Sequence, residues 1–141
     1  MNISDLHRKA QRGEAVAQAV LGTCYLNGID VDVNYNEAVR LLTSAAEKGV
    51  PRALTNLARM HMEGLGTPKD PHEAVRLYEL AAGAGEFLAQ VQLGRIYSRG
   101  TGAPADSEAA RRWYSAAAAQ EGCVHDCLEI QEAKAYLRDS S

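Results

Sequence analysis

No stretch of the 141 residues comes near the ~18 consecutive apolar residues that a membrane-crossing helix requires, so no membrane span is expected. The opening run MNISDLHRKAQRGEAVAQ alternates charged with apolar residues and has no apolar core of a secretory signal, which leads to the expectation of a cytoplasmic protein. Cysteine is scarce and odd in number, at three residues, which argues against a disulfide framework and for a reducing compartment. An excess of basic charge is missing too. Fifteen Lys and Arg against 18 Asp and Glu leave a net charge of -3 and a pI near 5.8, so there is no global attraction to nucleic acid and none is expected as a partner. Catalytic signatures are absent: there is no S-x-x-K, G-x-S-x-G, H-E-x-x-H or phosphate loop, and neither an enzyme nor a cofactor is expected.

What is present is repetition. Shifting the chain by 36 residues aligns Ala17/Ala53/Ala89, Leu21/Leu57/Leu93, Gly28/Gly64/Gly100, Ala38/Ala74/Ala110, Arg40/Arg76/Arg112, Ala45/Ala81/Ala117 and Ala46/Ala82/Ala118, seven columns identical in all three copies. A period of this length signals a solenoid, in which each unit buries its apolar face only by stacking on its neighbours.

Each unit reads as two helices and a turn. In the second, Ala53, Leu57, Met60, His61 and Gly64 recur at helical spacing and mark a helix A with one buried face. EGLGTPKD stops it, because Gly64 and Gly66 tolerate positive φ and Pro68 blocks continuation. Asp70 is placed as an N-cap, with Pro71 at the first helical position and Glu73 completing a capping box. Asn34 and Glu37 repeat this start in the first unit, and Asp106 keeps the cap in the third, where Glu108 falls one place early. Helix B follows, with paired alanines near its end that let helices approach closely and Leu41, Leu42, Leu77, Tyr78, Trp113 and Tyr114 filling wider gaps. In the third copy the closing glycine, Gly122, falls one residue late, which predicts an extra turn residue or helix distortion there.

The flanks continue the pattern in degraded form. Leu6, Ala10 and Gly13 lie 36 residues before Leu42, Ala46 and Gly49, so residues 4–13 read as a lone helix B. Residues 124–138 read as a capping helix. The expectation is an all-α protein, a single repeat domain over 1–141 with repeats at 17–52, 53–88 and 89–122: an α–α superhelix of about three and a half to four helix hairpins, or about eight helices.

The segments ALTNLARMHMEGLGTPKDPHEAVRLYELAAGAG and AQVQLGRIYSRGTGAPADSEAARRWYSAAA resemble the Sel-one-like repeat family, relatives of the tetratricopeptide repeats. The family hallmark runs A-x-x-x-L-G-x-x-Y-x-x-G-x-G, an Asp cap, and a helix closing in A-A-x-x-G. The resemblance covers roughly residues 4 to 138. Three positions depart: Ala58 stands for Gly, His61 for Tyr, and Asp30 for the second loop Gly, where Asp is expected to keep the left-handed shape. The resemblance implies a right-handed superhelix, with helix A on the concave side, acting as an adaptor or scaffold.

Helix A positions not needed for packing are then the candidates for contacting a partner: Arg52, Thr55, Asn56, Arg59, Met62, Glu63, Gln92, Arg95 and Arg99. Four arginines on an acidic chain point to an acidic peptide segment or chain terminus as ligand, held by bidentate guanidinium pairs. The same arginines are also accounted for as solvated side chains or as partners of Glu63 and Glu86. An inhibitor role, immunity- or antitoxin-like, is the alternative to an adaptor. Cys123, His125 and Cys127 do not make a metal site, since on a helix His125 points away from the two thiols and a structural zinc needs about four ligands. Cys24 is expected as a small buried hydrophobe, and His61 as a core or groove residue instead of a general base.

Overall fold

A computed structural model describes residues 2–120 and 128–139. Among these the chain forms eight α-helices and no strand: α1 (Ile3–Gln11), α2 (Ala15–Asn27), α3 (Tyr35–Glu47), α4 (Pro51–Glu63), α5 (Pro71–Gly83), α6 (Phe87–Arg99), α7 (Ser107–Ala118) and α8 (Leu128–Asp139). Each helix packs mainly on its chain neighbours, and α2 also touches α4 as α6 touches α8, which is the contact pattern of a helical solenoid. Cys123, His125, Cys127 and Gly122 lie outside the described residues, as does the start of the expected final helix.

The repeated alanine and leucine columns supply the core, while the Gly28/Gly64/Gly100 and Arg40/Arg76/Arg112 columns are exposed. Ala38, Ala74 and Ala110, and Ala45, Ala81 and Ala117, are all fully buried on α3, α5 and α7. Helices A and B approach so closely that a Cβ on Gly22 would lie 2.8 Å from the Leu42 side chain, and one on Gly94 2.8 Å from the Tyr114 ring. The second repeat accommodates a methyl at the corresponding Ala58, which is fully buried in the same cluster as Tyr78.

The helix starts form as the spacing predicts, with one difference. Asn34 Oδ1 accepts the Glu37 amide and Asp70 Oδ1 the Glu73 amide at 3.1 Å each, while Asp106 Oδ1 takes both the Glu108 and Ala109 amides. The reciprocal half of the capping box is replaced. The cap N–H groups of Asn34, Asp70 and Asp106 donate to the carbonyls of Tyr25, His61 and Tyr97 at 2.9, 2.8 and 2.9 Å, tying each helix B start to the preceding helix A. With no cap amide left to serve, Glu37 and Glu73 turn to Arg40 and Arg76 one turn on, which lowers both carboxyls. In the third repeat Arg112 lies 5.6 Å over the Trp113 ring.

The AB loops keep one shape in all three copies. Asp30, at φ 61, adopts the left-handed conformation that Gly66 and Gly102 adopt at φ 71 and 86, as expected for its position. Gly66 is needed for a second reason: a Cβ there would sit 2.7 Å from Tyr35 Cβ and 2.9 Å from its carbonyl oxygen, at the start of the preceding helix B.

Candidate functional site

Helices α2, α4 and α6 run side by side and are cross-linked by side chains at their shared edges. Asn56 Nδ2 donates to Thr23 Oγ1 at 2.9 Å, joining α4 to α2. Thr55 Oγ1 donates to Glu86 Oε2 at 2.7 Å, joining α4 to the cap of α6, where the same oxygen takes the Ala89 amide at 2.9 Å. Thr55 is only 5% exposed, so its hydroxyl serves the stacking of repeats beneath this face. Met62 and Gln92 are half-buried, and Glu63 is exposed.

The four arginines fall into two groups. Arg52 and Arg59 are exposed; Arg59 stands 3.6 Å from the exposed Glu63, a loose surface pair of the kind worth about 0–1 kcal/mol, while Arg52 stands 3.6 Å from Glu86, whose side chain is 11% exposed. Arg99 is exposed at the end of α6, close enough to Glu132 to help lower its pKa. Arg95 differs. Its Nε donates to both Glu132 oxygens at 2.9 and 3.0 Å and its Nη2 to Oε2 at 2.5 Å, a forked pair whose side chains are 28% and 27% exposed. Tyr114 OH on α7 donates to Glu132 Oε1 at 3.2 Å, and burial together with that carboxylate pushes its own pKa up to about 12. One carboxylate on α8 therefore gathers α6 and α7. Four arginines face three carboxylates, Glu63, Glu86 and Glu132, so the expected basic face is nearly balanced in charge.

This lock has a pH signature. Hydrogen bonding from Arg95 holds the Glu132 carboxyl below its ordinary range, with burial opposing. A folded-state pKa below the unfolded one contributes fully above the unfolded value and is lost as pH falls through the folded value. Glu132→Gln is expected to destabilise the α8 contact by about 1–2 kcal/mol at neutral pH. Hydrogen exchange across α8 should show acid-sensitive protection in the parent chain and little pH dependence in the variant.

No group of three or more potential metal ligands occurs among the described residues. Cys24 is buried, and burial, with a smaller contribution from Asp30, pushes its thiol up, away from reactivity. His61 is half-buried on α4 with its Nδ1 unpaired among the described residues. No described helix is long and apolar enough to cross a membrane.

Comparison with known proteins agrees with this geometry. No curated protein matches the chain. A solved structure of a Sel1 repeat protein from Oxalobacter formigenes is 40% identical, with a TM-score of 0.78, and the match covers 97% of each chain. A protective antigen present in uropathogenic Escherichia coli strains, displaying an SLR fold, is 41% identical with a TM-score of 0.76. That match covers 80% of this chain and 24% of the other. The Sel1 repeat model matches residues 15–50, 51–86 and 88–121, which is most of the sequence. With its repeated alanine and leucine columns packed inward, its loops sharing the same left-handed positions and its helices stacked in series, the chain belongs to the Sel1 repeat family, whose solenoids generally mediate protein–protein interaction.

Proposed function

We propose that the protein is a non-catalytic adaptor that binds a partner protein through the face of α2, α4 and α6, with Arg52, Arg59 and Arg99 as the groups that meet it. The observation that carries this reading is the division of labour among the arginines. Arg95 is committed to Glu132, whereas Arg59 holds the exposed Glu63 loosely at 3.6 Å and can exchange it for a ligand carboxylate at small cost, and the exposed Arg52 stands 3.6 Å from a Glu86 carboxylate that Thr55 and the Ala89 amide already serve. An incoming acidic segment or chain terminus gains bidentate geometry that these intramolecular pairs lack. Met62 and Gln92, half-buried beside them, supply apolar and hydrogen-bonding contact.

The test is capture of the partner with the full chain, identification by mass spectrometry, and titration of the purified pair. Arg59→Glu with Arg99→Glu is expected to weaken binding by tenfold or more at unchanged melting temperature, about 1.4 kcal/mol or more. Unaltered affinity in that variant would remove the arginine face from the interaction. Arg95 is unsuitable for the test, because its loss also opens the α6–α8 contact.

A further inference from the structure

In each repeat a helix A lies between two helices B, and in two of the three repeats the helix-B side of this junction is laced by hydrogen bonds. In the first, Gln18 Nε2 on α2 donates to the Ala10 carbonyl at 3.4 Å. Lys48, just past α3, donates to the Gly13 carbonyl at 2.6 Å and to Gln18 Oε1 at 3.0 Å, so α1, α2 and α3 are tied together. The third repeat uses the same register. Gln90 Nε2 donates to the Ala82 carbonyl at 3.2 Å, and Gln120 Nε2 donates to the Gly85 carbonyl and to Gln90 Oε1 at 2.8 Å each. A second tie runs alongside in both: Tyr25 OH meets His7 Nε2 at 3.2 Å, and Tyr97 OH donates to Glu79 Oε1 at 2.5 Å.

The second repeat cannot make this lacing. One period on from Gln18 and Lys48 stand Leu54 and Ala84, which carry no polar side-chain atom. Thr43 and His61 replace His7 and Tyr25, and the His61 Nδ1 is buried without a hydrogen-bond partner among the described residues. The free space follows the lacing. The trough between α1 and α3, lined by Ala10, Leu21 and Leu41 among others, has a volume of 70 Å³. The trough between α3 and α5, lined one period on by Ala46, Leu57 and Leu77, has 360 Å³. On the helix-A side, by contrast, α4 is held to both of its neighbours, through Asn56 to Thr23 and through Thr55 to Glu86.

We infer that the solenoid bends at its second repeat, with the α1–α3 and α5–α7 segments as two arms that swing about α4 and open or close the trough between α3 and α5. A junction fixed along one edge and unlaced along the other has one soft motion, rotation about the fixed edge. In the first and third repeats that rotation breaks directional hydrogen bonds across the helix-B side. In the second it only slides Leu54, Leu57, Leu77 and Leu80 past one another, and apolar contact is non-directional. Close packing blocks such sliding where no space is left, and here the open trough supplies the space. The rotation changes the angle at which α2 and α6 flank α4, and so the curvature of the arginine face. That consequence for partner binding rests on the function proposed above, whereas the bending itself does not.

The experiment is pulsed electron paramagnetic resonance on the full chain, with spin labels carried by non-canonical residues so that the native cysteines are left alone. Gln11, Glu47 and Gly83 are exposed and equivalent by register, so Gln11/Glu47 spans the laced first junction and Glu47/Gly83 the unlaced second. The Glu47/Gly83 distance distribution is expected to be about twofold broader than that of Gln11/Glu47. Leu54→Gln with Ala84→Lys installs the lacing and should narrow Glu47/Gly83 to the width of the first pair. Gln18→Leu with Lys48→Ala removes the lacing from the first junction and should broaden Gln11/Glu47. Equal widths in the parent chain, or a Glu47/Gly83 width unchanged by the installed lacing in a folded variant, overturns the inference. If the installed pair prevents folding, the removal variant decides, and an unbroadened Gln11/Glu47 distribution overturns it. No partner is present in the measurement, so its failure and that of the arginine face are read separately.

Discussion

Gly66→Asp is expected to cost about 2–4 kcal/mol of folding free energy, whereas the reverse exchange at the equivalent position of the first repeat, Asp30→Gly, should cost less than about 1 kcal/mol. Both residues have positive φ, 71 and 61, so the backbone preference alone does not separate them. The difference is the neighbour. A Cβ on Gly66 meets the Tyr35 backbone and Cβ at 2.9 and 2.7 Å, contacts that neither a rotamer change nor a flexible tip can relieve. Asp30 already carries a Cβ at φ 61 in the loop of the first repeat, so the exchange to glycine there relieves a backbone strain without opening a close contact of the Gly66 kind. Thermal unfolding should report a fall of about 5–15 °C for Gly66→Asp and little change for Asp30→Gly. Equal losses at the two sites would mean that φ alone governs these loops.

The same comparison shows what the 36-residue register makes legible. It identifies equivalent residues, so the buried alanine columns, the N-caps and the left-handed loop positions follow from it directly. It does not say which residues meet across neighbouring units. Thr55 and Glu86 are 31 positions apart, Asn56 and Thr23 33, and Arg95 and Glu132 37, so these pairs share no column. Burial of Thr55 and commitment of Arg95 arise from those offsets, and Glu132 lies in a flank where the pattern has degraded. Glu37 and Glu73 show the competing effect at short range. The spacing of a capping box is present, yet a main-chain carbonyl from the preceding helix already takes the cap amide. His61 was legible as a departure from the family tyrosine, but its neighbours Leu54 and Leu80 join it only when α3, α4 and α5 are stacked.

Leu42→Ala should be the most damaging leucine truncation of the 6/42 column, at about 3–5 kcal/mol, against about 1–2 kcal/mol for Leu6→Ala. Leu42 is fully buried, and its side chain touches the backbone of α2 at Gly22, where helices A and B are already as close as a glycine permits. Removing it leaves an enclosed void, since the tight approach on one side and the stacked second repeat on the other restrict collapse. Leu6 is 8% exposed and lines an open groove of about 390 Å³ with Lys9, Glu14, Val16, Ala17 and Val20, so its truncation enlarges a space that water already reaches. The loss there is confined to transfer of the removed methyl groups, without the cavity contribution. Urea unfolding of the two variants, with equal slopes to establish a shared unfolded state, measures the difference. Equal destabilisation would show that the solenoid transmits a terminal defect as strongly as an internal one, contrary to nearest-neighbour coupling between repeats.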